Sequence, residues 1–314
     1  MSVELRDIDA ALARIRAYVH ETPLTTHASL NVLCGTECWF KAEHKQKGGA
    51  FKARGAHHAL TRLSPEQLAC GVATHSSGNH GAALALAASR FGTRAFVVMP
   101  SNAPRPKREA TIAYGATVIE CEPTLAAREE TLRACVEQTG AVFVPPYDHP
   151  DIIAGQGTVA IEMLRQNPEL DTLVVPVGGG GLLGGISVAA KALKPSIRVI
   201  GAEPEGANDA KRSLESGVRV TQHHPDTIAD GLRTTLGELN FALIQRYVDD
   251  IITVSDPQII DAMKLYMSRA KELVEPSGIV GLAAILRKPD LFANSCVGIV
   301  ISGGNVDLEH PVWL

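Results

Sequence analysis

Aromatic residues are scarce in this 314-residue chain, at 4%, with only two tryptophans. That scarcity argues against an aromatic-rich β-sandwich, and 28 glycines point instead to α/β layers joined by tight backbone turns. A basic excess is also missing, since 30 Lys and Arg stand against 34 Asp and Glu, a formal net charge of −4. Such a balance leaves no footprint for nucleic acid. Low-complexity tracts are absent, and 45% apolar residues supply material for a large core, which excludes disorder. No Cys-x-x-Cys pair occurs among Cys34, Cys38, Cys70, Cys121, Cys135 and Cys296, and no histidine pair stands at zinc-site spacing from Cys34 and Cys38. The expectation is free, reduced, mostly buried thiols in a cytoplasmic protein. Residues 1–18 carry acids in a helical pattern rather than the apolar run of a signal peptide. The apolar stretch Leu173–Leu193 holds a single charge, Lys191, and nearly the length of a membrane span. Pro176 and the glycines at 178–181, 184 and 185 would spoil a lipid-facing helix, so it reads as strand, glycine loop and helix in a soluble protein.

From residue 70 onward, short β-branched runs alternate with helical stretches. Strands are expected over 71–74, 95–99, 116–119, 142–144, 173–177, 198–202 and 298–301, with helices to about Ser89, after Pro104 and over 126–138. Alternation with short connections implies parallel sheets covered on both faces.

Four constellations carry chemistry. Lys52 lies between Phe51 and Ala53 in Gly49–Gly55, and an apolar setting lowers an ammonium pKa, freeing the amine for a Schiff base or for proton transfer. A surface lysine at a helix start has the same local sequence. Ser76-Ser77-Gly78-Asn79-His80-Gly81 follows a strand and opens a helix, where backbone amides bind anions such as carboxylates. Helix capping alone would need only one of these residues. Gly178, Gly179, Gly180 and Gly181 follow another strand and can curl their N–H groups around a phosphate. Gly179, Gly181 and Gly184 also satisfy a dinucleotide fingerprint, with Glu203 where an adenosine-ribose acid would sit. Ser302-Gly303-Gly304-Asn305 ends the last strand, at the edge where open parallel sheets bind ligands.

A lysine for a Schiff base, a cradle for one phosphate and a polar strand end together describe a pyridoxal phosphate site. The motifs GAFKARGA, THSSGNHG, DIIAGQGT, VPVGGGGLLGG, AEP and SGGNVD stand in order between about Ile15 and Asp307. On these motifs the chain resembles the fold-type II pyridoxal-phosphate family of serine/threonine dehydratases and serine racemase. The resemblance implies two open parallel-sheet lobes with the cofactor in the cleft. Residues 1–70 and 146–314 would form the large cofactor-binding domain, and 71–145 a small domain inserted in it.

The resemblance further implies that Lys52 carries the cofactor, with Phe51 beside its ring, Asn79 on the ring hydroxyl, Gly178–Gly181 on the phosphate and Ser302 facing the pyridine nitrogen. Ser76, Ser77, Asn79 and His80 would surround the substrate carboxylate, and Ser77 would stand where the racemase keeps its second base. The activity implied is ammonia loss from a β-hydroxy amino acid such as L-threonine or L-serine, giving a 2-oxo acid, with a 3-hydroxyaspartate ammonia-lyase or a serine racemase with dehydratase side activity as alternatives. Glu203, the Ala207 carbonyl and Asp209 would hold Mg²⁺, or else Ca²⁺ or Mn²⁺. A homodimer is the family expectation, and the seven residues after Asp307 leave no room for a regulatory domain.

The chain departs from the family's Thr-Gly-Ser-Phe-Lys, having Gly48-Gly49-Ala50-Phe51-Lys52. His44, Lys45 and Lys47 upstream, and Arg233, are candidate cations for a second substrate carboxylate. His223 and His224 read as a polar loop before Pro225 rather than as ligands.

Overall fold

The computed structural model describes residues 3–313, which form two sheets. Ten strands run in chain order as β1 (Leu24–Thr26), β2 (Glu37–Lys41), β3 (Val72–His75), β4 (Ala95–Pro100), β5 (Thr117–Cys121), β6 (Val142–Phe143), β7 (Thr172–Pro176), β8 (Arg198–Pro204), β9 (Asp250–Val254) and β10 (Cys296–Val300). One sheet has the order β1-β2-β10-β7-β8-β9 and the other β5-β4-β3-β6. All pairings are parallel except β1 with β2.

The four strands of the smaller sheet all fall between Val72 and Phe143. Its core also takes in Ala56, Ala59 and Leu60 from the helix Lys52–Thr61, and Ile152 from the helix Pro150–Gln166. Strands β1, β2 and β9 go beyond the sequence expectation. β2 reaches β10 across the sheet from residues distant in the chain, with Trp39 opposite Gly298.

The stretch Leu173–Leu193 divides into β7, the glycine loop and the helix Gly181–Leu193. Its first ten helical residues are buried, which explains the unbroken apolar composition. Among the described residues, no helix is long and apolar enough to cross a membrane. All six cysteines are free, and Cys34, Cys38 and Cys135 are buried while Cys70 is exposed.

Helices Lys52–Thr61 and Pro150–Gln166 cross at near backbone contact. A Cβ on Gly155 would stand 2.6 Å from the Cα of Gly55, so only glycine permits the approach. On its other side, Pro150–Gln166 packs against Gly181–Leu193. This three-helix stack sets Lys52 and the glycine loop in fixed relation.

Candidate active site

Phe51 caps the helix that Lys52 opens, and its N–H donates to the Ser302 carbonyl at 3.0 Å. An isolated bridge from Ala50 to Gly303 seals the same seam. Two segments about 250 residues apart thus meet at the floor of a cleft of about 740 Å³ between the sheets. Lys52, Ser76–His80, Gly178–Gly181 and Ser302 all line it, together with Phe51. Lys52 Nζ donates to the Pro146 carbonyl at 2.7 Å and lies 5.0 Å from the centre of the Phe51 ring. No acid pairs with it among the described residues, and burial pushes its pKa down to about 8.

The glycine loop presents a row of backbone N–H groups suited to an anion. The N–H groups of Gly178 to Gly181 meet no acceptor among the described residues, and the helix that follows adds its dipole. Behind the loop lies Tyr147, a residue without a sequence signal, whose ring would stand 2.4 Å from a Cβ on Gly179. Asn240 Nδ2 donates to the Gly179 carbonyl at 2.8 Å and braces it from beneath.

A second set of backbone N–H groups suited to an anion lies at the start of the helix Asn79–Phe91. Ser76 Oγ accepts from the N–H groups of Gly78 and Gly81 at 3.2 and 3.1 Å, so this hydroxyl satisfies amides at the helix start. The N–H groups of Ser77, Asn79 and His80 keep no protein acceptor among the described residues. His80 Nε2 lies 3.2 Å from the Val144 carbonyl and donates to it as the neutral ring. Burial, then the nearby Lys52 charge, press the His80 pKa down to about 3.

Asn79 is oriented from both ends. Its Nδ2 donates to Glu275 Oε1 at 2.5 Å, and its Oδ1 accepts from Asn305 Nδ2 at 2.9 Å. Glu275 is itself buried 3.2 Å from Lys107 Nζ, which reaches Asp230 at 2.5 Å. Burial raises the Glu275 pKa against the opposing pull of Lys107. Sequence spacing held no sign of Lys107, Asp230 or Glu275 as partners.

The candidate cations sort differently from expectation. Lys45 pairs with Glu272, as does His44, and neither they nor Lys47 line the cleft. Arg233 does line it, with its Nε donating to the Thr227 carbonyl at 2.6 Å. Arg128, on the helix Leu125–Thr139, is a further cation that the sequence did not single out. It lines the cleft, its Nε is buried without a partner, and no acid pairs with it among the described residues.

Glu203 lies near the end of β8 and Asp209 opens the helix Asp209–Ser216, both fully buried. Glu203 accepts from the N–H groups of Ala210 and Lys211 at 3.0 and 2.9 Å. Burial, reinforced by the Asp209 charge, pushes the Glu203 pKa well above the carboxylate range. An acid so enclosed is out of reach of an adenosine ribose, which removes the dinucleotide reading. Among the described residues, no three His, Cys, Asp or Glu side chains converge as a finished metal cage.

A buried lysine without an acid partner, a row of amides without acceptors among the described residues and a hydroxyl at Ser302 fit pyridoxal phosphate in this cleft. The family model for pyridoxal-phosphate dependent enzymes matches residues 15–303. This chain belongs to that family. Among pyridoxal-phosphate dependent enzymes it is 48% identical to a serine racemase of Arabidopsis thaliana over 98% of this chain and 94% of the relative. It is 45% identical to a beta-hydroxyaspartate dehydratase of Paracoccus denitrificans, over 98% of both chains. A solved threonine deaminase from T.th. superposes with a TM-score of 0.93 at 43% identity, covering 97% of this chain and 99% of that one. The architecture is accordingly that of the fold-type II pyridoxal-phosphate enzymes.

Proposed function

We propose that this enzyme is an ammonia-lyase for β-hydroxy amino acids, and that its preferred substrate carries a second carboxylate, as 3-hydroxyaspartate does. Arg128 carries that choice: a guanidinium in the cleft wall with a buried, unpartnered Nε is matched by an anionic substrate side chain. The dehydratase relative from Paracoccus denitrificans, named for β-hydroxyaspartate, supports the same reading.

Gly178–Gly181 would hold the cofactor phosphate, Ser302 would face the ring nitrogen, Asn79 the ring hydroxyl, and Phe51 would pack beside the ring. Pyridoxal phosphate, when bound, supplies an electron sink that weakens the bonds at the substrate Cα. A neutral serine rather than an acid at the ring nitrogen favours prompt elimination over a long-lived carbanion. Ser76, Ser77, Asn79 and His80 receive the α-carboxylate, chiefly through free N–H groups at the helix start. Lys52, with a pKa of about 8, takes the Cα proton as general base. In the balanced reaction the Cα–H and Cβ–O bonds break, water leaves, and a later water replaces nitrogen, giving one 2-oxo acid and one ammonia. Ser77, whose hydroxyl makes no protein hydrogen bond among the described residues, is the group on hand to return a proton to Cα. That is the racemase-type side reaction.

Glu203, the Ala207 carbonyl and Asp209 would hold a divalent cation, Mg²⁺ or else Ca²⁺ or Mn²⁺. Two buried carboxylates beside one another, and an Ala207 carbonyl without a donor among the described residues, support it. We also read residues 71–145 as a small domain within a large one formed by 1–70 and 146–314, because its sheet is continuous in the chain. A cytoplasmic homodimer completes the reading, resting on unpaired thiols and on family resemblance.

The test is keto-acid release by yellow holoenzyme from L-serine, L-threonine and the 3-hydroxyaspartate isomers. One hydroxyaspartate isomer is expected to exceed serine at least about tenfold in kcat/KM, about 1.4 kcal/mol of transition-state binding. Equal or better turnover of threonine would overturn the substrate choice. No keto acid from any of them would overturn the lyase, and D-serine outrunning pyruvate from L-serine would make the enzyme a racemase.

A further inference from the structure

The Asn79 amide has its orientation fixed by its neighbours. The Gly48 carbonyl can only accept, so Asn305 turns its Nδ2 to it at 2.8 Å. The same Nδ2 donates to Asn79 Oδ1 at 2.9 Å, which leaves Asn79 Nδ2 facing Glu275 Oε1 at 2.5 Å. Of the two hydrogens on Asn79 Nδ2, Glu275 takes one. The other has no acceptor among the described residues, on a side chain that lines the cleft.

Glu275 precedes the helix Pro276–Arg287, which packs on the larger sheet, and its side chain is 2% exposed. A carboxylate there needs a partner in place of water. Lys107 supplies it from across the cleft, on the helix Arg105–Ala113 between β4 and β5 of the smaller sheet. A proton on Glu275 Oε2 would face Lys107 Nζ, 3.2 Å away, a group that can only donate. No other group bonds that oxygen among the described residues. Asp230 accepts from Nζ at 2.5 Å and so fixes where the ammonium stands. Burial works against the Lys107 charge, yet Glu275 and Asp230 outweigh it and lift its pKa above the ordinary lysine value.

Resting on the reading above that Asn79 meets the cofactor's ring hydroxyl, we propose that Lys107 is a positioning residue for the cofactor. Its ammonium keeps Glu275 a carboxylate, and Glu275 holds Asn79 with one N–H left for the ring hydroxyl oxygen. Lys107 thereby acts on the cofactor through two side chains without touching it. A lysine that only tied the two sides of the cleft together would leave the cofactor's absorption untouched.

Pyridoxal phosphate bound with its ring hydroxyl deprotonated is yellow, and an N–H donated to that oxygen favours this form. The readout is the ratio of visible to near-ultraviolet absorbance of the holoenzyme. In Lys107→Met the buried Glu275 takes up a proton and its bond to Asn79 weakens, so the ratio is expected to fall at least about threefold. Lys107→Arg restores the charge and should stay within about 1.5-fold of wild type. Glu275→Gln should show the same fall, and Lys107→Met added to it should change nothing further, because no carboxylate is left to control. Glu120→Gln, which unpairs Arg108 on the same helix, leaves the ratio unchanged. A ratio unmoved in Lys107→Met overturns the Lys107 assignment, and so does a low ratio in Lys107→Arg or a further fall in the double variant. Glu275→Gln keeps Lys107 paired with Asp230, so an unmoved ratio there overturns the assignment even where Lys107→Met does not fold. A wild type that stays colourless with added pyridoxal phosphate overturns the cofactor reading itself, whereas a yellow wild type with indifferent variants overturns the Lys107 assignment alone.

Discussion

Arg54 grips Glu162 with both terminal guanidinium nitrogens, at 2.6 and 2.7 Å, in a place where the two side chains are buried from solvent. Glu43 accepts from the other side of the same guanidinium, and Lys41 donates to Glu162 at 2.7 Å, so two cations and two carboxylates neutralise one another. The cluster lies under the helix that presents Lys52, two residues before Arg54.

Removing one partner leaves uncompensated buried charge. Glu162→Gln is expected to cost about 3–5 kcal/mol in urea unfolding. The exposed pair Arg108–Glu120 is the control, and Glu120→Gln should cost less than about 1 kcal/mol. Equal losses at both positions would contradict the assignment.

The role proposed for Lys52 makes cofactor uptake sensitive to pH. Burial lowers its pKa to about 8 in the folded apoprotein, against 10.5 for an ordinary lysine. The amine is protonated below 8 and reactive above it, so the rate of pyridoxal phosphate incorporation should rise roughly tenfold from pH 7 to pH 9 and then level off. Between 8 and 10.5 the unfolded chain binds the extra proton, so this group makes apoprotein stability rise with pH across that window. A rate still climbing log-linearly above pH 9 would refute the shift.

Arg128→Met should cut kcat/KM for 3-hydroxyaspartate by about 100-fold, the loss of one charge-assisted pair of about 2.7 kcal/mol. Turnover of L-serine should stay within about threefold. A parallel loss on serine would assign Arg128 to folding rather than to substrate choice.

Gly179→Ala pushes a methyl group to within 2.4 Å of the Tyr147 ring. Because the loop cannot retreat from Asn240 beneath it, cofactor affinity should fall at least about tenfold by fluorescence titration. The double variant with Tyr147→Ala should regain much of it.

Ser77→Ala separates the two outcomes at Cα. Keto acid should still form, since the proposed base is Lys52, while D-serine formation from L-serine falls at least about tenfold by chiral chromatography. Undiminished D-serine would relocate the second proton donor.

What could be read along the chain is whatever chemistry is contiguous in it. Gly178–Gly181 after β7 and Ser76–Gly81 after β3 are strand-to-helix turns, where anion binding needs only successive backbone N–H groups. Lys52 between Phe51 and Ala53 signalled desolvation locally, and the strands of the smaller sheet declared themselves by alternation with helices. Helix packing decided the rest. Arg128 has the sequence setting of a solvated helical residue, and only the seating of its helix beside the small sheet turns it into the cleft. Lys45 and Lys47 looked equally eligible until Glu272, some 225 residues away, paired with Lys45. Glu275, Lys107 and Asp230 come from three elements on two sides of the cleft, and His223 meets Asp209 only because its loop folds back. Local periodicity reports backbone geometry over a few residues, whereas charge pairing and desolvation depend on neighbours that only the tertiary structure supplies.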